Sequence, residues 1–392
     1  MALKVEHNDT RTDTEYEQMV SLRRALHQQP ELSGQEQQTA HRIAQTLLAA
    51  GLPAKRMGEH GVIVDLPGQG DGPRIALRAD TDALPITEAT GLPYASCRAG
   101  VMHACGHDGH TGILFGAALR LAENPPPLPV RCIWQPAEET GVGAQMMIDA
   151  GAIDGVAAIF GGHIDPRFPS GHLIITDGAV NASTDELCIV IDGQQGHGAR
   201  PHECRDAIVA ASHLVVALQT VVSREVTPGQ PAVVTIGEIH AGTGPNIIAG
   251  QATLRGTIRA HTPAVRAQLL AAVRRVAQSV ALTFDVSIDV DIAPGTPALF
   301  NDPRWTDIAR RAAVAVVGEA AVGVMPELNL GGEDFAVFLQ HIPGCYIRFG
   351  AAIPERDFAP AHSSRFDFHE PAMRSAAAWM ERVAWVAADT VL

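Results

Sequence analysis

Residues 101–110 read VMHACGHDGH and place three histidines and one cysteine within ten positions. Imidazole is a borderline metal ligand and thiolate a soft one, so three readings stand open. The stretch is a buried turn, a cysteine nucleophile beside a histidine, or half of a metal site. Other polar clusters follow stretches that read as strands. Arg78-Ala-Asp-Thr-Asp82 follows residues 75–77, and Glu138-Glu139 comes soon after a run ending at Trp134. Gly161-Gly162-His163 follows residues 156–160, and His362 lies beyond residues 345–349. Gly331-Gly332-Glu333-Asp334 precedes a further helical stretch. Open α/β sheets form their sites at the carboxyl ends of strands, so Cys105, His107, Glu139, His163 and His362 are expected in one crevice.

A pair of divalent cations is the simplest reason to gather such groups, because imidazole, thiolate and carboxylate together suit zinc and its first-row neighbours. Cys105 and His107 sit two positions apart, and in a turn both side chains can face one point. Of the adjacent carboxylates Glu138 and Glu139, one can bind metal while the other serves as a base for an activated water. Asp80, Asp82 and Asp108 suit the task of accepting hydrogen bonds from ligand histidines. Each group alone has a plainer reading. A single histidine is more often a hydrogen-bonded structural residue, a Glu-Glu pair a solvated loop, and a cysteine a small buried hydrophobe. What favours the metal reading is their recurrence at expected strand ends of one domain.

The elements that must position these residues have an alternating rhythm. Helical periodicity runs over residues 16–26 and 36–48, the second stopping at Gly51 and Pro53. Short apolar runs at 62–66, 75–78, 130–134 and 156–160 read as strands, with helices at 109–122 and 142–150 between most of them. Strand–helix alternation implies a mostly parallel sheet covered by helices. From about residue 183 the order becomes strand 186–191, helix 204–222, strands 232–240 and 252–259, helix 263–280 and strand 283–290. That βαββαβ order is a ferredoxin-like unit. The α/β pattern returns after Pro297, with helices at 302–317, 334–340 and 371–388 and a strand at 345–349. The expected architecture is an α/β catalytic domain, residues 1–182 plus 297–392, split by an inserted domain at 183–296.

Bulk composition narrows the function classes. A chain of 392 residues with 46% hydrophobic and 18% charged residues suits a globular protein of two domains. The formal charge of −14 offers no basic excess for nucleic acid or an anionic membrane. The opening MALKVEHNDTRTDTEYE has no apolar leader region, and no run of eighteen apolar uncharged residues occurs. Six scattered cysteines without a CxxC pair read as free thiols, for which the cytoplasm is the default compartment.

Nearly the whole chain, in order, resembles the dinuclear-metal amidohydrolases that include hippurate hydrolases and indole-acetyl-amino-acid hydrolases, relatives of aminoacylase and carboxypeptidase G. The resemblance is carried by LRRALHQQPELSGQE (22–36), RADTDALPI (78–86), MHACGHDGHTG (102–112), WQPAEETGVGAQMMIDAGAIDGV (134–156), GHGARPH (196–202), TGPNIIAG (243–250), GTIR (256–259), GGEDFA (331–336) and AHSSRFDF (361–368). It implies two divalent metal ions per subunit, Zn2+ or Mn2+ with Co2+ or Ni2+ as alternatives, held by Cys105, His107, Glu139, His163 and His362. It further implies Glu138 as general base and His197 as the group that polarises the scissile carbonyl from the partner subunit of a homodimer. Asn246 and Arg259 match substrate contacts, including those to a free carboxylate. The implied reaction is hydrolysis of the amide in an N-acyl amino acid, with a dipeptidase or carboxypeptidase as the runner-up. A metal-containing binding protein without turnover and a Cys105/His107 amidase are the readings from other classes. Three stretches depart from the usual pattern: Gly162 stands for leucine, Asn246-Ile-Ile-Ala249 for NVIP and Ala361-His-Ser-Ser364 for LHSP. The first and last are expected to alter the pocket near His163 and His362.

Overall fold

The computed structural model describes residues 9–391; the polar opening at residues 1–8 lies outside them. The chain divides into two compact units. The first comprises residues up to Gly178, Asn301–Pro326 and the chain from Val337 onward; the second comprises Ala179–Phe300 and Glu327–Ala336.

The first unit is built on an eight-stranded mixed sheet. Its central strands, Val130–Gln135, Arg74–Asp80, Val156–Pro169 and Gly344–Ala352, run parallel in that order. Gly61–Leu66 and then Ala54–Met57 extend one edge antiparallel. The central strands are buried almost throughout, as a sheet covered by helices requires. Helices Asp9–His27, His107–Glu123, Pro303–Val317 and Ala372–Val391 contribute Met19, Ile113, Ile308 and Trp379 to a single core. The helix His107–Glu123 is apolar on nearly every side because it is buried on nearly every side.

The strand Val156–Pro169 differs from expectation. Gly161-Gly162 reads as a strand end, yet both glycines stay in the ladder opposite Tyr346 and Ile347. His163 therefore projects from mid-strand, opposite Arg348, rather than from a loop. A Cβ at Gly162 would sit 2.6 Å from the Phe349 ring, so the position is glycine for packing and not for a turn.

The second unit holds a four-stranded antiparallel sheet in the order Ala232–Ala241, Gln251–Ala260, Ser183–Asp192, Ser287–Pro294. Helices Ala207–Thr220 and Pro263–Phe284 supply Leu214, Leu218, Leu269 and Val273 to its separate core. Asp206 caps the first helix by accepting from the Ile208 and Val209 amides, and Thr262 caps the second at Val265. The second helix outruns its expected end and stops at Asp285 in the left-handed region. Residues 327–336, expected in the metal-binding domain, group with this unit. Local bonds explain it: the Ala182 amide donates to the Asn329 carbonyl, and the Asn181 side-chain amide donates to the Gly331 and Gly332 carbonyls. Among the described residues, one helix, Ala207–Glu225, is by length and composition able to cross a membrane; Leu214, Leu218 and Val221 on it are buried in this core.

Candidate active site

All five expected ligands lie in the first unit, and three local devices present them. Gly106, with φ +91°, turns the chain between Cys105 and His107, a conformation with little strain only for glycine. His362 itself adopts φ +65°, and its amide donates to the Ala104 carbonyl at 2.8 Å, tying the two distant segments together. The third device is the turn carrying Glu138 and Glu139. It follows Ala137 at φ +55°, and the Glu139 amide donates to Asp82 Oδ2 at 3.0 Å.

These devices bring donor atoms into overlapping triads. Cys105, His107 and His163 form one, and Cys105, Glu139 and His362 another, with the donor atoms of each within 4.8 Å of one another. Cys105 Sγ lies 3.2 Å from His163 Nε2, and His362 Nε2 lies 3.3 Å from Glu139 Oε1. His107, Glu138 and Glu139 form a third triad. The first two triads have the Cys105 sulfur in common.

Hydrogen bonding decides which histidines are available. His107 Nδ1 lies 3.1 Å from Asp82 Oδ1, and the opposite nitrogen, Nε2, is buried without a hydrogen bond. Around that nitrogen stand Asp80 Oδ2 at 3.9 Å, Glu138 Oε2 at 3.9 Å and Glu139 Oε1 at 3.8 Å. A buried lone pair ringed by carboxylate oxygens beyond hydrogen-bond reach is costly unless a cation joins them, so these residues fit a divalent metal. His163 Nδ1 donates to the Ile164 carbonyl at 2.6 Å, which turns Nε2 toward Cys105. Burial, aided by His110 and Arg348, holds the His163 ring well below the ordinary imidazole range, as a neutral ligand requires. The hydrogen bond to Glu139 raises His362 instead.

His110 also falls in a triad, with Asp80 and His107, but its nitrogens are already used. Nε2 accepts the Ile164 amide at 2.8 Å, so Nδ1 carries the proton and donates to Asp80 Oδ1 at 2.6 Å. Asp80 Oδ2 in turn accepts from Arg78 at 2.7 Å. That triad is a structural network.

Of the three aspartates expected to support ligand histidines, only Asp82 bonds one directly. Asp80 serves His110, and Asp108 accepts from Arg23 Nε at 3.0 Å and pairs with His27 Nδ1 at 2.9 Å. Although burial works against its charge, Arg23 and His27 hold Asp108 well below the usual carboxylate range. Burial likewise opposes charge on His27, but Asp108 and Glu88 lift it to about 9. Burial pushes His103 down to about 4. Burial and Glu139 push the Cys105 thiol well above its ordinary range, the reverse of what a cysteine nucleophile needs.

The remaining candidates lie in the second unit. His197 pairs with Ile247 in a two-residue ladder, and the Gly198 amide donates to the Asn246 carbonyl at 2.7 Å, so His197 and Asn246 are neighbours. His197 is exposed, and its Nδ1 accepts the Ala199 amide at 3.1 Å, leaving Nε2 as the donor. Arg259 is half-buried on the strand Gln251–Ala260, opposite Thr184. Ala249 sits in the second unit's core, and its carbonyl accepts the Ala207 amide at 3.0 Å. The Ser364 carbonyl accepts from Ala89 at 2.8 Å. Sequence reasoning passed over Glu36, Ser33 and Arg23, which support the site from far away in the chain.

The family model for peptidase family M20/M25/M40 matches residues 76–385. The chain belongs to that family. It is 41% identical over 354 residues to N-acetyl-L-cysteine deacetylase of Bacillus subtilis, covering 89% of this chain and 84% of the relative. With thermostable carboxypeptidase 1 of Saccharolobus solfataricus it shares 36% identity over 375 residues, 94% of each chain. The crystal structure of a dinuclear metal-binding M20-family peptidase from Bacillus subtilis superposes with a TM-score of 0.86 at 34% identity, covering 96% of this chain and 99% of that one. This member is a metal-binding amidohydrolase, and divalent cations are its metals.

Proposed function

We propose that the protein hydrolyses the amide bond of N-acyl amino acids, hippurate-like or otherwise related, with Cys105, His107, Glu139, His163 and His362 as metal ligands. The observation that carries this reading is the pair of triads sharing Cys105, with Glu138 Oε2 3.9 Å from the orphan nitrogen of His107. Divalent cations held there would acidify the attacking water and polarise the amide carbonyl. Glu138 removes the water's proton as the C–O bond forms and returns it to the leaving amine as the C–N bond breaks. His197 Nε2–H donates to the developing oxyanion, and Asn246 and Arg259 hold the substrate's free carboxylate. The thiolate and imidazoles favour zinc by softness, with manganese, cobalt or nickel able to replace it by abundance. The relatives named for deacetylation of N-acetylcysteine and for carboxypeptidase activity both support a small substrate with a scissile amide beside a carboxylate.

The second unit serves in this reading as an inserted ferredoxin-like domain that pairs two subunits. Its strand and helix order and the order of its four-stranded sheet support the ferredoxin-like description. Six free cysteines accord with a cytoplasmic setting. The test is Glu138→Gln assayed on N-acetylcysteine, hippurate and a dipeptide, with metal content measured alongside. Turnover should fall at least about a thousandfold while metal is retained; near-normal turnover would overturn the base assignment, and the substrate ranking of the wild type separates acyl hydrolase from dipeptidase.

A further inference from the structure

The stretch 22–36 ends on a carboxylate that the chemistry above does not use. Glu36 is fully buried at the start of the helix Gln37–Ala49, yet its side chain does not cap that helix. Oε1 instead accepts the Ala137 amide, 101 positions away, at 2.8 Å. Ala137 is itself buried and is held in the left-handed region, φ +55°. An L-residue pays about 1–2 kcal/mol to stand there. Three residues from Glu36, Ser33 donates to Asp82 Oδ2 at 2.6 Å, the same oxygen that accepts the Glu139 amide.

From these contacts we infer that Glu36 is the positioning residue for the turn that presents Glu138 and Glu139. Several of the turn's bonds run forward from Ala137. Its carbonyl accepts from Gly143 at 3.1 Å and from Thr140 Oγ1 at 3.2 Å, and the Glu138 carbonyl accepts from Gly141 at 2.8 Å. Two amides of the turn face back toward other elements: that of Glu139 donates to Asp82, and that of Ala137 donates to Glu36. Without that acceptor, Ala137 gains by relaxing to a negative φ. Such a rotation lies immediately before Glu138 and swings its carboxylate away from His107.

The idea rests on Glu138 being the base, and a double-mutant cycle in the metal-loaded enzyme tests it. Glu36→Met keeps the buried volume but has no acceptor, and Glu36→Ala replaces it should that variant not fold. It should lower kcat on the order of 10- to 100-fold, with KM within about twofold. Glu36→Gln, whose amide oxygen still accepts, should stay within about threefold of wild type. Ala137→Gly removes the conformational cost, so adding it to Glu36→Met should restore about tenfold of the lost kcat. Multiplicative losses in the double variant, or a Glu36→Gln loss as large as that of Glu36→Met, would overturn the inference. An active Glu138→Gln enzyme would instead sink the base assignment, so the two failures are distinguishable.

Discussion

At the scale of single residues, the imidazoles around the site are sorted by what already occupies their nitrogens. His110 and His107 face the same aspartate, yet His110 spends Nε2 on a backbone amide and His107 leaves Nε2 open. Glu36 illustrates the electrostatic side of such burial. Desolvation pushes its carboxyl up to about 7 from an ordinary value near 4.5. The folded chain therefore penalises the charged form. That cost is complete above about pH 7 and vanishes below about pH 4.5. Glu36→Gln should accordingly be more stable than wild type at pH 8, by up to about 3 kcal/mol. The gap should close as the pH falls toward 4.5. Denaturant melts across that range give the answer, and a pH-independent difference would contradict it. The candidate ligands were legible because cysteine, histidine and paired glutamates are rare enough to stand out. Glu36 was not, because nothing near it in sequence signals an acceptor role toward residue 137.

At the scale of elements, the strand Val156–Pro169 shows why Gly162 departs from the usual leucine. Alternation along a strand sends neighbouring side chains to opposite faces. His163 turns toward Cys105, so position 162 turns to the core, where Phe349 and Ile347 already fill the space. Phe349 is anchored in turn against Trp379, with ring centroids 5.7 Å apart. The departure is thus a redistribution of core volume and not a change in the pocket. Gly162→Leu should cost about 1–3 kcal/mol through overpacking, read as a lower melting temperature with the substrate ranking unchanged. A changed ranking at unchanged stability would return the position to the pocket. Elsewhere the existence and type of the long elements were readable from periodicity. What failed were ends set by tertiary contact, such as the glycine pair that stays in the ladder and the helix that runs on to Phe284.

At the scale of the whole molecule, the proposed homodimer makes a sharp prediction. His197 belongs to the second unit, whereas Glu138 and every candidate ligand belong to the first. If His197 serves the partner's site, Glu138→Gln and His197→Ala are each inactive alone but complement when subunits are exchanged. Random reassortment makes half the dimers mixed, each with one complete site, so about a quarter of wild-type activity should return. Complementation near zero in a confirmed mixed dimer would place His197 in its own subunit's site.

The sequence by itself determined the kinds of candidate ligand, their order along the chain and the alternation of strands and helices, since these depend on residue type and short-range periodicity. The tertiary structure decided which atom of each group is available. Whether a histidine nitrogen is spent or open, whether Ala137 is held left-handed and whether Gly162 faces core or pocket depend on partners far away in sequence. No local pattern encodes those partners, because a hydrogen bond or a packed ring is specified only once distant segments meet.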